Sequence, residues 1–426
     1  MDIILKYNTI LFDLDGTLTE SADGITRSVA YACEKMGAVV PPKHILDKFI
    51  GPPLVASFME HAGMTEEEAD RAVVVYRERF STIGWKENKL YPGIAPLLKA
   101  LKANGVYLGI ASAKPDEFVK RIAEHFGFAK YFDKIVGATF QNKSADKDTL
   151  LMSALPENVD LSTAAMVGDR KFDMEAAKRL GVHAIGVLYG YGGREELEES
   201  GAEVIAETVD ELHNILLPGI EKEKGLFITF EGADGCGKST QLKLLVNYLT
   251  ERGYEVVVSR EPGGCPISER IRDLVLDINC KGMSDECEAL LFAASRAEHV
   301  REVIVPAVKN GKIMICDRFL DSSIAYQARG RELGDDFIRL INKPAGIIRP
   351  DRTLLFVGSQ EKISKRLRAN DNLDRIEVEK DSFVRRVYEG YEDIHRAEPD
   401  RVHIIDSNGT IEEIFEAVLK DIEDLF

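Results

Sequence analysis

LFITFEGADGCGKSTQLKLLVNYL, residues 226–249, begins with an apolar run, continues with a glycine-rich turn and ends in a helical pattern. The turn, 232–239, matches G-x-x-x-x-G-K-[ST], in which backbone N–H groups and the positive end of a helix dipole face an anion. Lys238 can reach outer phosphates, and Ser239 can serve Mg²⁺. The stretch predicts a P-loop that binds nucleotide phosphates at the end of a parallel strand.

The first half of the chain contains an acidic motif of a different kind. TILFDLDGTLTES, residues 9–21, places Asp13 and Asp15 two residues apart at the end of an apolar strand, before the turn residues Gly16 and Thr17. Carboxylates this close repel each other unless a cation or phosphoryl chemistry uses them. The chain is therefore predicted to hold two phosphoryl-transfer domains in tandem.

Composition argues against several classes of partner. A formal net charge of -17 disfavours nucleic acid and anionic membranes, whereas small anionic substrates can still be held by local cations. The first residues lack a signal-peptide pattern, and no apolar run approaches the roughly 18 residues of a membrane span. The six cysteines show no C-x-x-C spacing, so we expect neither zinc nor disulfides, and a reduced, cytoplasmic location.

Apolar runs that end in polar turn residues alternate with helical patterns along most of the chain. This alternation predicts α/β domains with parallel sheets and catalytic groups at the carboxyl ends of the strands. From 23 to 85 the pattern is helical only, which predicts a helical cap over about 20–88, inserted after the first strand. The predicted strands are 9–12, 106–111, 164–168, 183–188, 226–230, 255–258, 312–316 and 353–357.

A Pro-Gly pair and a short charged run, LPGIEKEKG, precede the P-loop strand. We expect a first domain over 1–217, a linker over 218–224 and a second domain over 225–426. The motifs of the two halves differ in kind and order, which indicates a fusion rather than a duplication.

In the first domain, strand ends and helix starts bring polar groups into one predicted constellation. A carboxylate nucleophile, a hydroxyl and an ammonium for phosphoryl oxygens, and acidic ligands for Mg²⁺ would support an aspartyl-phosphate mechanism. The residues are Asp13, Asp15, Ser112, Lys147, Asp169 and Asp173.

These motifs, in this order, resemble the haloacid dehalogenase superfamily across the whole first domain, which implies a Rossmann-like core with an inserted cap. The resemblance implies that Asp13 attacks phosphorus and that Asp15 first protonates the leaving oxygen and then activates water. It implies Mg²⁺ held by Asp13, Asp169 and the backbone carbonyl of Asp15, with Asp173 in support. Asp15 favours a phosphomonoesterase, although a phosphosugar mutase also keeps this residue. GDRKFDMEAAKRLGV, 168–182, looks most like a phosphoglycolate phosphatase or a 5'-nucleotidase-like enzyme, and leaves the substrate open.

In the second domain, a later strand ends in Asp317 and Arg318, where a carboxylate can hold Mg²⁺ and a guanidinium can bridge phosphates. Phe292 and Arg296 lie four residues apart on one helical face. They offer an aromatic plane for a base and donors for its carbonyl edge, a pairing that suits a pyrimidine.

SREPGG, LLFAASRAEHV and DRFLDSSIAYQ together resemble thymidylate kinase, with a nucleoside monophosphate kinase fold over 225–426. The resemblance implies ATP as donor, dTMP as acceptor and a homodimer formed through this domain. It implies that Phe292 stacks on thymine, that Arg296 bonds O4 and that Asp234 approaches the 3'-hydroxyl. The other implied dTMP contacts are Glu261, Pro262, Arg318, Ser322, Tyr326 and Gln327. The implied ATP and phosphate contacts are Gly232, Asp234, Gly235, Cys236, Gly237, Lys238, Ser239 and Thr240, with Ser239 and Asp317 at Mg²⁺.

KRLRANDNLDRIE, 365–377, resembles the lid of this family, which we expect over about 362–378. In the family that the chain resembles, a basic residue of the P-loop or of the lid must reach the transferring phosphoryl group. Here Gly235 and Cys236 of the P-loop are uncharged, so the resemblance implies that this charge comes from elsewhere. Arg368 is our candidate for a catalytic lid residue, with Arg366 and Arg375 as alternatives.

Rival readings remain open for both halves. The second domain could be another small P-loop kinase that acts on deoxynucleosides. The first could be a phosphoglycolate or sugar phosphatase, a phosphatase of nucleotide monophosphates such as dUMP, or an inactive binding module. Asp13→Asn separates turnover from scaffolding, because only turnover depends on that carboxylate.

Overall fold

The computed structural model describes residues 5–139, 146–280, 282–359 and 381–426. The chain divides into two compact units. One comprises Met1–Glu221 with Thr250–Tyr254, and the other comprises Lys222–Leu249 with Glu255–Phe426. No helix among the described residues is long and apolar enough to cross a membrane.

The first unit is built on a six-stranded, wholly parallel sheet. Its central strand is fully buried, as expected when helices cover both faces of a parallel sheet. The order is β5-β4-β1-β6-β7-β8, and a two-stranded antiparallel pair, β2-β3, lies outside it. The strands are Thr9–Phe12 (β1), Thr19–Glu20 (β2), Lys89–Leu90 (β3), Tyr107–Pro115 (β4), Lys134–Ala138 (β5), Ala164–Gly168 (β6), His183–Val187 (β7) and Val204–Ala206 (β8).

Helices alone fill the segment between β2 and β3, as the sequence predicts for the cap. Ile25, Val29 and Cys33 form the buried stripe of its first helix. Thr65 and Glu68 form a capping box at the start of its longest helix. The cap helices are Ala22–Lys35, Lys43–Leu46, Leu54–Ala62 and Glu66–Thr82, with the short turns Asp47–Phe49 and Gly84–Lys86.

The remaining helices of the first unit lead from strand to strand of the parallel sheet, except the last, which follows β8. They are Ile94–Ala103, Asp116–His125, Lys147–Ala154, Lys171–Leu180, Arg194–Glu199 and Val209–Leu216, with the short turns Ala129–Tyr131 and Leu161–Thr163.

The second unit contains a five-stranded parallel sheet in the order β10-β11-β9-β12-β13. Its strands are Phe227–Gly232 (β9), Val256–Arg260 (β10), Ile313–Asp317 (β11), Arg352–Val357 (β12) and Val402–Asp406 (β13). Its helices are Lys238–Glu251, Pro266–Leu276, Asp285–His299, Val300–Ile304, Val305–Lys309, Leu320–Ser323, Ile324–Gly330, Asp335–Ile341, Asp381–Ala397 and Ile411–Ile422, with the turns Lys343–Ala345 and Glu423–Leu425.

All eight predicted strands are confirmed, and three strands of the large sheets were not predicted. Those three, β5, β8 and β13, are edge strands. Each is at most five residues long and only partly buried, so its apolar pattern is weaker than that of a strand covered on both faces.

Candidate active sites

In the first unit, the strand order brings three predicted groups to one edge of the sheet. β1 lies between β4 and β6. The chain leaves β1 towards β4 on one side and continues to β6 on the other, so a crevice opens at the carboxyl ends of these strands. Asp13 follows β1, Ser112 lies near the end of β4, and Asp169 follows β6.

Three carboxylates converge at this edge. Each of Asp13, Asp169 and Asp173 offers an oxygen, and these oxygens lie within 4.8 Å of one another. Gly16, with φ +86°, makes the close approach feasible, because a Cβ there would lie 2.1 Å from Asp169 Oδ2. Oxygen-only ligands suit Mg²⁺, so the residues fit the implied metal.

Lys147 is the cation of this cluster. Its Nζ lies 2.6 Å from Asp13 Oδ1 and 2.5 Å from Asp173 Oδ1. Lys147 is the first residue of its helix, and the Asp146 side chain accepts from Thr149 N to cap that helix. The structure thus places the predicted ammonium against the predicted nucleophile.

Burial and crowding raise the carboxyl pKa values here. Burial raises the pKa of Asp13 to about 7; Lys147 opposes the shift, and Asp173 and Asp15 add to it. Burial also holds the pKa of Asp169 well above its usual range, with Asp173 and Asp13 contributing. Such crowding is relieved when a cation enters.

Asp15 has a partner that the sequence analysis missed. Lys114 Nζ lies 2.6 Å from Asp15 Oδ1, and both side chains are largely buried. Lys114 also lies two residues beyond Ser112 on β4, and its backbone N–H donates to Ser112 Oγ at 3.3 Å. This short separation from a predicted site residue was a usable signal in the sequence.

Two core cations also contact the cap. Arg170 Nη1 donates to the backbone oxygen of Ile50 at 2.9 Å, just before Gly51-Pro52-Pro53, which separate two helical segments of the cap. Lys114 Nζ lies 5.2 Å from the centre of the Phe80 ring, on the longest cap helix. The cap therefore borders the crevice next to Asp15.

In the second unit, the P-loop has its predicted place between β9 and the helix Lys238–Glu251. Gly232, Gly235 and Gly237 have φ values of 126°, 79° and 98°, which L side chains adopt only with strain. Lys238 is buried, and its Nζ donates to the carbonyl oxygens of Gly232 and Ala233 at 3.0 Å. Cys236 is buried, whereas Ser239 and Thr240 are exposed at the start of the helix.

Asp317 ends β11, which pairs directly with the P-loop strand. Its Oδ1 is buried and has no hydrogen-bond partner in the part of the chain that the structure describes. A buried, unpaired carboxylate oxygen is costly unless something binds it. This oxygen could therefore be a ligand of a cation that lies between Asp317 and the P-loop.

All nine residues predicted to contact dTMP line one cavity of about 190 Å³. Arg272, Leu276 and Ser323 line it as well, and none of these three was predicted to contact dTMP. The predicted residues are Asp234, Glu261, Pro262, Phe292, Arg296, Arg318, Ser322, Tyr326 and Gln327.

The Glu261 carboxylate faces inward within this lining. It accepts from Arg296 Nε at 2.6 Å and lies 3.0 Å from His299 Nδ1. The geometry therefore ties Glu261 to Arg296 and His299. The Gln327 side chain donates to buried Glu288 at 3.0 Å.

Arg318 is the main cation of the cavity. It donates to Asp234 Oδ1 at 2.7 Å, to Ser322 Oγ at 3.2 Å and to Tyr391 at 3.3 Å. Burial alone would raise the pKa of Asp234, but Arg318 and Lys238 outweigh it and lower that pKa to about 2.

A buried glutamate that the sequence analysis passed over supports this arrangement. Glu231 accepts from Phe319 N at 2.7 Å, Ser322 Oγ at 2.6 Å and Tyr391 at 2.9 Å. The sequence did contain a signal for Glu231, which is an acidic residue within a predicted buried strand. A buried charge needs partners, so such a residue marks a polar network. The predicted lid, with Arg366, Arg368 and Arg375, lies outside the described residues.

Comparisons with known proteins match the two halves of the chain to two different families. The family model described as haloacid dehalogenase-like hydrolase matches residues 10–187, and the one described as thymidylate kinase matches residues 230–418. Thymidylate kinase of Exiguobacterium sibiricum is 46% identical over 199 residues, which cover 46% of this chain and 94% of that protein. Thymidylate kinase of Symbiobacterium thermophilum is 46% identical over 201 residues, covering 47% and 94%.

Two solved structures match one half of the chain each. A predicted phosphatase from Clostridium acetobutylicum shares 46% identity, covers 50% of this chain and 98% of its own, and has a TM-score of 0.47. Thymidylate kinase from Ehrlichia chaffeensis shares 34% identity, covers 47% and 99%, and has a TM-score of 0.39. From the family matches and the two sites, the chain belongs to the thymidylate kinase family through its C-terminal half, fused to an N-terminal haloacid dehalogenase-like hydrolase domain.

Proposed function

We propose that the C-terminal domain transfers the γ-phosphoryl group of ATP to dTMP and forms dTDP and ADP. The cavity that gathers all nine predicted dTMP contacts carries this proposal. Phe292 would stack on thymine, Arg296 would donate to O4, and Asp234 would contact the 3'-hydroxyl. Arg318 would neutralise the acceptor phosphate as its oxygen attacks the γ-phosphorus.

The P-loop would hold the donor. Lys238 would leave the carbonyl oxygens that it now contacts and move to the phosphates. Ser239 and Asp317 would hold Mg²⁺, which offsets phosphate charge. A lid arginine, Arg368 in our proposal and otherwise Arg366 or Arg375, would approach the transferring group.

A coupled ADP-release assay with dTMP and with thymidine tests the kinase assignment. We expect turnover with dTMP and none with thymidine, because Arg318 and its neighbours are arranged for a phosphate-bearing acceptor. Transfer to thymidine without transfer to dTMP would favour a deoxynucleoside kinase instead.

We further propose that the N-terminal domain is a Mg²⁺-dependent phosphomonoesterase that works through an aspartyl-phosphate. Asp13 would attack phosphorus, and Asp15 would protonate the leaving oxygen and then deprotonate water. Ser112 and Lys147 would hold phosphoryl oxygens. Asp13, Asp169 and Asp173 would hold Mg²⁺ together with the Asp15 carbonyl, and the convergence of their three carboxylates supports this site. The 2.6 Å contact between Lys147 Nζ and Asp13 supports the role proposed for Lys147.

Nucleotide monophosphates are our proposed substrates for the phosphatase, with unwanted ones such as dUMP first. Fusion to a nucleotide kinase is the observation that supports this choice. A panel of dUMP, dTMP, phosphoglycolate and sugar phosphates tests it through kcat/KM. Preference for phosphoglycolate or a sugar phosphate over every nucleotide would overturn it.

We propose that the protein is a cytoplasmic homodimer formed through the kinase domain, with the domain boundary at 218–224. Ile267, Leu274 and Leu290 are about half exposed on two helices that pack together, so an apolar face is available to a second copy. Light scattering of wild type and Leu290→Glu tests the dimer, and an unchanged mass would contradict this face.

A further inference from the structure

A continuous chain of hydrogen bonds runs from β10 to the nucleobase side of the kinase cavity. Ser259 Oγ, on β10, lies 2.7 Å from His299 Nε2. His299 Nδ1 lies 3.0 Å from one Glu261 oxygen, and the other accepts from Arg296 Nε at 2.6 Å. His299 has no exposed surface, and Glu261 and Arg296 are buried as well.

The chemistry of the partners fixes the direction of these bonds. An ionised carboxylate only accepts, so the proton must lie on His299 Nδ1. In the neutral ring Nε2 is then an acceptor, and Ser259 donates its O–H to it. Glu261 is therefore held from two sides, by a ring N–H and by a guanidinium N–H.

Arg296 is almost saturated by these surroundings. Besides the bond to Glu261, Nη1 donates to Ser323 Oγ at 3.0 Å and to Asn342 Oδ1 at 2.6 Å, and Nη2 donates to the Phe319 oxygen at 3.1 Å. A guanidinium has five N–H groups. Four are thus used by described residues, and one on Nη2 remains for the cavity that Arg296 lines.

We propose that His299, held by Ser259, is a positioning residue for nucleobase recognition, because it anchors Glu261 and so fixes the one N–H of Arg296 that remains for the base. The inference rests on the proposed transfer to dTMP. A donor at this point suits the O4 carbonyl of thymine and meets another donor in the amino group of cytosine. His299 thereby supports selection of dTMP over dCMP.

Loss of the imidazole would remove the hydrogen bond that holds one oxygen of Glu261. One Glu261 oxygen would be buried without a donor, and the carboxylate would rotate to find another partner. Because the other oxygen carries Arg296 Nε, the guanidinium would turn with it. None of these residues is among the proposed ATP contacts, so we expect the affinity for ATP to be unaffected.

Steady-state kinetics on the full chain test the proposal with His299→Leu and His299→Asn. For His299→Leu we expect KM for dTMP to rise about tenfold and the dTMP-to-dCMP ratio of kcat/KM to fall about tenfold, with KM for ATP unchanged. Asn places an amide nitrogen near the position of Nδ1, so His299→Asn should recover most of the loss. His403→Leu is the matched control. His403 lies on the edge strand β13 and also pairs with a carboxylate, that of Asp421 at 2.7 Å, but it does not line the cavity.

Two measurements keep the test valid if His299→Leu does not fold. Ser259→Ala leaves the imidazole in place and should raise KM for dTMP by a smaller factor. In the native protein, ¹⁵N NMR of the histidine rings should show His299 Nδ1 protonated, and an unprotonated Nδ1 overturns the proposal. Wild type that forms no dTDP contradicts the proposed kinase activity itself. Wild type that forms dTDP beside a His299→Leu variant with unchanged dTMP KM and base selectivity contradicts only the role of His299.

Discussion

Asp15 and Lys114 form a buried ion pair beside the proposed nucleophile, at 2.6 Å. The ammonium fixes the position of the Asp15 carboxyl group, so its loss would misplace the group that we propose to protonate the leaving oxygen. We predict that Lys114→Met lowers kcat for an alkyl phosphate by roughly tenfold to a hundredfold. The loss should be smaller for p-nitrophenyl phosphate, whose leaving group needs little protonation, and Lys114→Arg should retain more activity than Lys114→Met.

Lys102 offers a matched control for that experiment. It pairs with Asp133 at 2.6 Å as well, but both side chains are about one-third exposed. Exposed ion pairs contribute little, so Lys102→Met should leave phosphatase kinetics unchanged. If Lys114→Met lowered kcat by the same factor for the alkyl phosphate and for p-nitrophenyl phosphate, a role of Lys114 through Asp15 would be contradicted.

Glu231 links kinase stability to pH. Burial raises its pKa to about 7; Asp321 adds to the shift, whereas Ser322, Arg318 and the Phe319 N–H oppose it. Between an unfolded value of about 4.3 and this folded value, the folded state keeps a proton that the unfolded state has lost. The stability that Glu231 contributes is therefore complete below the unfolded pKa and is lost as pH rises through about 7.

We predict that Glu231→Gln flattens the pH dependence of kinase-domain unfolding between about pH 5 and pH 8, by an amount on the order of 2 kcal/mol. Calorimetry on the full chain measures this, and the kinase transition is the one that dTMP shifts upward. Parallel pH profiles for wild type and variant would show that Glu231 does not titrate in this range.

Among the connecting elements, the loop between β10 and the helix Pro266–Leu276 depends on Gly264. Its φ is +89°, and a Cβ would lie 2.2 Å from Ser259 Oγ and 2.5 Å from His299 Nε2. Gly264→Ala should therefore destabilise the kinase transition by about 2 kcal/mol or more and raise KM for dTMP.

A substitution at Gly334 is the control that distinguishes the effect of backbone strain from the effect of crowding at Gly264. Its φ is +80°, but its Cβ position meets no described atom within 4 Å. Gly334 has φ 80° and ψ 149°, a conformation that essentially only glycine adopts, so Gly334→Ala should cost backbone strain on the order of 1–3 kcal/mol and leave dTMP kinetics unchanged. Equal effects of the two substitutions would mean that contact with Ser259 and His299 is unimportant.

The sequence predicted elements and motifs well where the signal is local. The P-loop and the motif around Asp13 are contiguous, and buried strands carry unbroken apolar runs. The ion pair of Lys114 joins residues 99 apart, and the bond between Tyr391 and Glu231 spans 160. Such pairs follow from the order of strands in the sheet, which a local pattern does not contain.

Across the whole molecule, the two activities should be separable. We predict that Asp13→Asn lowers phosphate release by roughly a thousandfold or more and spares dTDP formation. Lys238→Ala should lower dTDP formation by roughly a hundredfold or more and spare phosphate release. Each variant is the control for the other, and loss of both activities in either one would mean that the domains are coupled.

Phosphorus-31 NMR of the intact protein with Mg²⁺, ATP and dTMP follows donor, acceptor and both products in one sample. We predict that dTDP and ADP appear together while little inorganic phosphate accumulates, as expected for a kinase beside a phosphatase that spares dTMP. Inorganic phosphate that grows at the expense of dTMP, without dTDP, would contradict the proposed division of labour between the two domains.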